Sequence, residues 1–539
     1  MDSKGLNIMA VSAPHWVKKS INESISLNSR TPFSLQNALR LAGDRGIKGE
    51  GYLGQSNWNS KAGIRDSSFL MEYFNEEKSI FEKYIREKRP NIIFIGSMTL
   101  SFPGAIALAK IAKDILGENV FVIIGGKHIN ETFFDSGSEI INTGASPLKL
   151  MQEGKIDKVF DLVCSGESEE LIVQILEQAG KCLSENQPFT QIYNELGEIQ
   201  KNAKGKWRIG FLEGGEIKST KSLGTPIDYN EMPVPAEIFG IRGNFKVFDT
   251  KLTAHAFSDT SPGCVFDCFF CSERNSINGK LQDRQHSADR LFRQFKAIKK
   301  TAQGENSTDS VSVFVEDSTL LNSARNPEQL KKLASLMKAE NFNIKFGAQF
   351  TVDQVSDKGI QEALLELKEV GLDYIFTGME TEDEDIAKKM SKNLQKENDS
   401  WVSRNEKVVS FLHESGIKYG IAVLFGLGES PQTRIEQLKQ IKRWQEKYGL
   451  PSVVSLNLAT IHPLQNKDEK EDFTEWGDEE NSQYIATFQK LFGEASFRYR
   501  VDRVNFPSLT DLQEIESIYR SLELHQEVRR EITNGIKIK

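Results

Sequence analysis

At 539 residues the chain is too long for one ordinary hydrophobic core, so two or three domains are expected. Apolar content of 38% and charged content of 27% fit a soluble globular protein, and 68 basic against 76 acidic residues, a net −8, argue against a nucleic-acid partner. Five cysteines are no disulfide framework when three share one loop; no run approaches the ~18 apolar residues of a membrane span, and the first residues lack a secretory h-region, so a cytoplasmic protein is expected.

Taken in chain order, the first part alternates strands and helices. Leu6 to Val11 is a short apolar strand, and Leu35, Ala38, Leu39 and Ala42 share one face of a helix over 34–42. Asn91 to Gly96 is a continuous apolar run of the kind buried in a parallel sheet. A helix over 103–116, a strand over 119–126, a strand over 160–164 and a helix over 167–178 follow. This alternation implies a doubly wound, Rossmann-like sheet over residues 1–185.

Residues 186–250 read as a linker, with Pro226, Pro233 and Pro235 as punctuation and a possible hairpin from Trp207 to Ile217. From Ala254 the βα rhythm resumes, with strands expected over 254–259, 310–316, 343–350, 374–378, 418–425 and 453–460. Helices over 327–340, 360–370 and 431–448 fill gaps between them. Six strands with intervening helices suggest a partial (β/α)6 barrel over 251–465. The remainder, 466–539, reads as a charged helical region ending in a basic tail at Arg529 and Arg530, a solvated helix end.

Chemistry concentrates in Ser-Pro-Gly-Cys-Val-Phe-Asp-Cys-Phe-Phe-Cys-Ser-Glu, which places Cys264, Cys268 and Cys271 in a C-x3-C-x2-C loop. Three thiolates are one too few for a closed site. A four-iron cluster ordinarily takes four cysteines, so three leave one iron open to another molecule. Structural zinc prefers four closed ligands from separated pairs, and no second pair exists. Zinc and unliganded thiols remain the alternatives. Cys164, ending a strand, and Cys182, following a helix, read as packing residues.

The cysteine spacing, with Phe270 before the last thiol, resembles the signature of the radical S-adenosylmethionine enzymes. The resemblance extends to strand ends: Glu316-Asp317 after the second barrel strand, Gln349 and Thr351 at the third, Gly378-Met379-Glu380-Thr381 at the fourth, and Gly426-Leu427-Gly428-Glu429-Ser430 at the fifth. The last resembles the family's Gly-Leu-Pro-Gly-Glu-Thr without its proline. By this resemblance Glu316, Gln349 and Glu380 would hold the ribose or methionine portion of S-adenosylmethionine, while Gly426, Leu427 and Phe270 would border the adenine. Any one of these alone is as readily a turn or a solvated carboxylate. His462, after the sixth strand, stands between substrate contact and turn residue.

In the N-terminal part, Ser97-Met98-Thr99, Gly125-Gly126-Lys127-His128 and Gly166-Glu167 follow three successive apolar strands. Their pattern resembles the cobalamin-binding domain of the cobalamin-dependent subgroup of that family. The resemblance implies that Ser97, Thr99, Gly125, Gly126, His128, Gly166 and Glu167 would line the cofactor's site. The Asp-x-His-x-x-Gly loop that supplies an axial histidine elsewhere is absent, and His128 reads more readily as a turn or capping residue than as a ligand.

The resemblance implies a [4Fe-4S] cluster, S-adenosylmethionine and cobalamin as cofactors, and a flavodoxin or ferredoxin as electron donor. It implies a 5′-deoxyadenosyl radical that removes hydrogen from an unactivated carbon of a small-molecule or peptide substrate, with a methyl group delivered through cobalamin. No cysteine follows Cys271, which argues against auxiliary clusters, a methyl-carrying C-terminal cysteine and an epimerase's cysteine donor. Methylation of carbon is the expectation. Rearrangement, cyclisation or epimerisation without methyl transfer is the first alternative, and a non-catalytic zinc-stabilised binding protein the second. No residue is assigned as general acid or base.

Overall fold

The computed structural model describes residues 5–14, 38–39, 41–42, 45, 49–51, 68–70, 74–98, 101–136, 138–234, 246–248, 250, 252–256, 264–268, 270–271, 287–303, 310–315, 317–323, 326–390, 400–425, 429–449, 451–458, 473–475, 500–502 and 508–522. They fall into two compact units, the first ending by residue 240.

The first unit is built on β1 (Leu6–Ser12), β2 (Gly49–Gly51), β3 (Ser68–Leu70), β4 (Ile92–Gly96), β5 (Phe121–Gly125), a side hairpin of β6 (Phe133–Ser136) and β7 (Glu139–Asn142), then β8 (Leu162–Gly166), β9 (Trp207–Glu213) and β10 (Glu216–Lys221). The main sheet runs β10-β9-β8-β5-β4-β1-β2, with β3 also on β1; all its pairs are parallel except β8–β9 and β9–β10. Strand side chains alternate between two cores. Met9, Val11, Ile93, Ile95, Val122 and Ile124 face one, while Leu6, Ile8, Ala10, Ile92, Phe94 and Ile123 face the other. Helices cover both faces, as parallel strands buried on both sides require.

α1 (Phe74–Lys88) and α2 (Phe102–Leu116) lie on the first face. α2 has Pro103 in its first turn and buries Ala105, Leu108, Ala109, Ala112 and Leu116, an apolar stripe at helical spacing. α3 (Lys127–Thr132) and α4 (Pro147–Gln152) are short connectors. α5 (Glu169–Ser184) covers the second face with Leu171, Ile172, Ile175, Leu176 and Ala179. Cys164 and Cys182 pack into that same core, and burial pushes the Cys164 thiol up to about 12.

The linker expected over 186–250 is in part sheet. Residues 207–221 form the β9–β10 hairpin, and Trp207 is fully buried in the second core with its indole N–H donated to Ala203. The physical reason is that β8 would otherwise be an open edge, and Ile209 and Phe211 supply apolar side chains to cover it.

The second unit contains β11 (Leu252–Ala256), β12 (Val311–Val315), β13 (Lys345–Thr351), β14 (Leu372–Glu380), β15 (Lys418–Phe425) and β16 (Val453–Leu458), paired in that order and all parallel. Sequential parallel order with helical crossovers makes this a (β/α) half-barrel sheet. The crossovers include α6 (Ala288–Gln303), α7 (Glu328–Ala339), α8 (Val352–Ser356), α9 (Lys358–Glu369), α10 (Glu384–Lys389), α11 (Trp401–Glu414) and α12 (Pro431–Tyr448). Past 466 the expected helical region holds helix Leu509–Ser521, but also an antiparallel pair, Phe473–Glu475 with Arg500–Asp502.

The two ends of this sheet differ in chemistry. Near the N-terminal ends, Asp373 meets Lys345 at 3.7 Å, Lys368 at 3.7 Å and Lys418 at 3.3 Å. Above this charged base, Phe248, Phe314 and Tyr374 form an aromatic plug, with half-buried Phe376 packed on it. A Cβ on Gly347 would stand 2.8 Å from Phe248, and one on Gly420 would stand 2.1 Å from the Tyr374 hydroxyl. Small residues therefore admit large rings here. Toward the C-terminal ends the register brings Thr351 beside Gly378 and Gly378 beside Ala422. The aromatic filling thins into small and polar side chains where such barrels place their chemistry.

Candidate active site

The cysteine loop follows β11, the first strand of the half-barrel. Cys264 and Cys268 are buried and Cys271 half-buried, and none of the three is in a disulfide. The Cys271 N–H donates to the Cys268 carbonyl at 3.0 Å, closing a tight turn, and the Phe266 N–H approaches the Cys264 sulfur at 3.5 Å. Phe270, between the last two thiols, packs against Ile386, Met390 and Leu424 and so anchors the loop to α10 and the end of β15. Among the described residues no three ligating side chains are gathered into a finished metal shell. What the loop supplies is a soft three-sulfur donor set on one short stretch of backbone, which suits iron–sulfur ligation.

Further strand ends carry polar groups toward the same edge. Gln349 is half-buried and stands in register with Phe376 of β14. Thr351 caps α8, its hydroxyl accepting from the Gln354 N–H while the Gln354 side chain accepts from the Thr351 N–H, so its hydroxyl forms the turn. Asp317 is fully buried just after β12, with Oδ2 3.4 Å from the Leu321 N–H. Glu380 is buried at the end of β14 with φ of +61°, in the left-handed region that non-glycine residues rarely enter. Glu429 is buried past β15 and paired with buried Arg434 at 2.6 Å. Glu316, Gly426, Leu427 and His462 lie outside the described residues, as does Thr99 of the N-terminal set.

Helices behind the strand ends hold them. The Arg404 guanidinium meets Asp353 of α8 at 2.5 Å. The Trp401 indole donates to the Thr381 carbonyl at 2.8 Å, and the Asn405 amide to Glu382 at 2.9 Å. Gln437, from α12, donates to the Glu380 carbonyl at 2.9 Å. These four residues were invisible to motif reading. Their only signal was polar character at helix positions whose neighbours are apolar, as in Leu438 and Ile441 around Gln437.

In the first unit, the parallel strands follow the order (β2, β3)-β1-β4-β5-β8, the doubly wound arrangement whose switch point lies between its first and third strands. The crevice at β1 and β4 is therefore where an open sheet of this kind takes a ligand. The expected residues stand at the ends of β4, β5 and β8, with only Ser97 next to that crevice, and their side chains are largely committed. Ser97 is buried, its hydroxyl donating to the Met98 carbonyl, and its own carbonyl accepts from the His128 N–H. His128 is buried, stacked on Phe102 at 4.1 Å, with Nε2 3.1 Å from the Ala145 carbonyl; burial pushes its pKa down to about 4, so the ring is neutral. Glu167 accepts from the Lys206 N–H at 2.9 Å.

The glycines serve loop packing. At Gly126, φ is +101° and a Cβ would lie 2.7 Å from both the N and O of Ser97; at Gly166, φ is +87° and a Cβ would lie 2.1 Å from the Lys206 carbonyl oxygen. The crevice is thus shaped by backbone, and a ligand there would meet main chain and the exposed Met98. A cofactor held without a histidine ligand fits this construction, because the His128 imidazole is already stacked and hydrogen-bonded.

Residues 259–476 match the Radical SAM superfamily. An uncharacterized methyltransferase of Pyrococcus horikoshii is 23% identical over 383 residues, 71% of this chain and 69% of that protein. Among solved structures, the radical S-adenosylmethionine methyltransferase TsrM from Kitasatospora setae, bound to tryptophan substrate and a SAM analog, matches with a TM-score of 0.57 and 13% identity over 95% of this chain and 88% of that one. The cobalamin-dependent S-adenosylmethionine radical enzyme OxsB, with aqua-cobalamin and S-adenosylmethionine bound, matches with a TM-score of 0.56 and 14% identity over 95% of this chain and 66% of that one. At these identities the structural likeness is one of fold. Among the described residues no helix is long and apolar enough to cross a membrane.

Proposed function

With a Radical SAM superfamily domain over residues 259–476 as premise, we propose that this chain is a cobalamin-dependent radical S-adenosylmethionine enzyme that methylates an unactivated carbon. One observation supports this above the rest: three cysteines outside any disulfide follow the first strand of a sequential parallel half-barrel in a chain whose other unit is a doubly wound sheet. Likeness of fold to TsrM and OxsB across both units adds to it.

Cys264, Cys268 and Cys271 would hold an iron–sulfur cluster, which would supply an electron for reductive cleavage of S-adenosylmethionine, and the first unit's crevice would hold a cobalamin as methyl carrier. The chain's own residues bind and aim. Phe270 seats the cysteine loop, the aromatic plug closes the barrel floor against water, and Gln349 and Glu380 would hold the polar part of S-adenosylmethionine at the strand ends.

The test is anaerobic reconstitution with measured iron and cobalt, then incubation with S-adenosylmethionine carrying a labelled methyl group and dithionite. The wild type should form 5′-deoxyadenosine and pass label to cobalamin, and Cys268→Ala should do neither. Deoxyadenosine without cobalt would move the assignment to a radical rearrangement or cyclisation. Neither product from fully iron-loaded wild type would overturn it.

A further inference from the structure

The end of β14 breaks its own register. Pairing with β15 shifts between Gly378 and Glu380, and the Thr381 N–H donates to the Met379 carbonyl at 2.7 Å, two residues back. That bond, with φ of +61° at Glu380, defines a γ-turn of the strained positive-φ form centred on a glutamate. Such a conformation is strained in a non-glycine residue and persists only where surroundings over-determine it. Here two buried donors from different helices do so. Gln437, 2% exposed, donates to the Glu380 carbonyl, and Trp401, 0% exposed, donates to the Thr381 carbonyl.

We infer that Gln437 is a positioning residue for S-adenosylmethionine: by clamping the carbonyl of Glu380 it holds the γ-turn that sets the direction of the Glu380 carboxylate. The inference rests on the radical S-adenosylmethionine reading of the half-barrel and goes beyond it to a residue on the outer helix layer. Strand alternation alone would send side chain 380 to the same face as Gly378; the extra residue re-aims it, as bulges do beside reactive sites. Gln437 makes no claim on the ligand itself. Arg404 of α11 is a poorer probe, because removing it would strand Asp353 as a buried charge.

The experiment measures S-adenosylmethionine binding and turnover in reconstituted wild type, Gln437→Leu, Trp401→Phe and Ile441→Val. Loss of the clamp should raise Kd and KM for S-adenosylmethionine about tenfold in Gln437→Leu, the size of one buried hydrogen bond. Iron content and the cluster's absorbance should stay as in wild type, and kcat at saturating S-adenosylmethionine should change little. Ile441→Val, on the same buried helix face, controls for packing and should lower the melting temperature without moving Kd. If Gln437→Leu does not fold, Trp401→Phe decides, since it deletes the donor to the Thr381 carbonyl, the other buried bond on this turn, while a smaller aromatic ring still occupies the site. Wild-type Kd and KM in the folded variants would overturn the clamp. A wild type that neither binds nor cleaves S-adenosylmethionine would instead overturn the functional reading beneath it.

Discussion

Single atoms decide what several residues can be. At Gly126 the absent Cβ lets the turn after β5 lie against the backbone of Ser97, and a methyl group there would meet two main-chain atoms at 2.7 Å with φ at +101°. Gly126→Ala should therefore lower stability of the first unit by about 3 kcal/mol, read as a depressed unfolding midpoint in urea, and should abolish cobalamin retention on gel filtration. His128 shows the opposite kind of decision. Its sequence context favoured a turn or capping role over ligation, and the ring is buried, neutral and stacked on Phe102. Ser97 and Glu167 stand at strand ends, with the Ser97 hydroxyl spent on the Met98 carbonyl and the Glu167 carboxylate on the Lys206 N–H. Sequence shows which residue types stand at a strand end, but hydrogen-bond partners come from chain segments tens of residues away.

At the level of elements, α11 acts as a hub. Its first turns send Trp401 to the end of β14, Arg404 to α8 behind β13, and Asn405 to Glu382. Glu382 is the group most altered by this packing. Burial pushes its pKa from the usual 4.5 up to about 8, opposed by the Asn405 hydrogen bond and Arg443 and reinforced by Glu406. A carboxyl whose folded pKa is raised keeps its proton better folded than unfolded. Its stabilising contribution is complete below pH 4.5 and lost as pH climbs to about 8. Unfolding free energy measured across that window should fall with pH, and Glu382→Gln should flatten the slope; an unchanged slope would remove Glu382 as its source. Helix boundaries such as 431–448 and strand 418–425 were legible because apolar periodicity is local. The hub was not, because its role lies in three contacts between elements.

Across the molecule, the main strands of both sheets and the hairpin beginning at Trp207 were readable in order, whereas β2, β3 and the β6–β7 hairpin were not. Three-residue and four-residue strands carry too little pattern to stand out, and the joining of the Trp207 hairpin to β8 is a long-range pairing that local pattern does not show. The half-barrel separates its duties along the strand axis, with the Asp373 lysine cluster at one end and the cysteine loop nearer the other. Asp373→Asn should cost about 1 kcal/mol in thermal stability, because the lysines are partly exposed, and leave S-adenosylmethionine cleavage untouched. A matching loss of cleavage would show that the base and the reactive end are not independent.

The hairpin that finishes the first unit's sheet has a bearing on the protein's behaviour at high concentration. Its outermost strand, Glu216–Lys221, presents Glu216 and Lys218 outward, paired at 2.7 Å, with Ser219 and Thr220 beside them. An approaching copy meets charge and hydroxyls there instead of a greasy ribbon, so this rim discourages the strand-to-strand stacking that turns open sheets into aggregates.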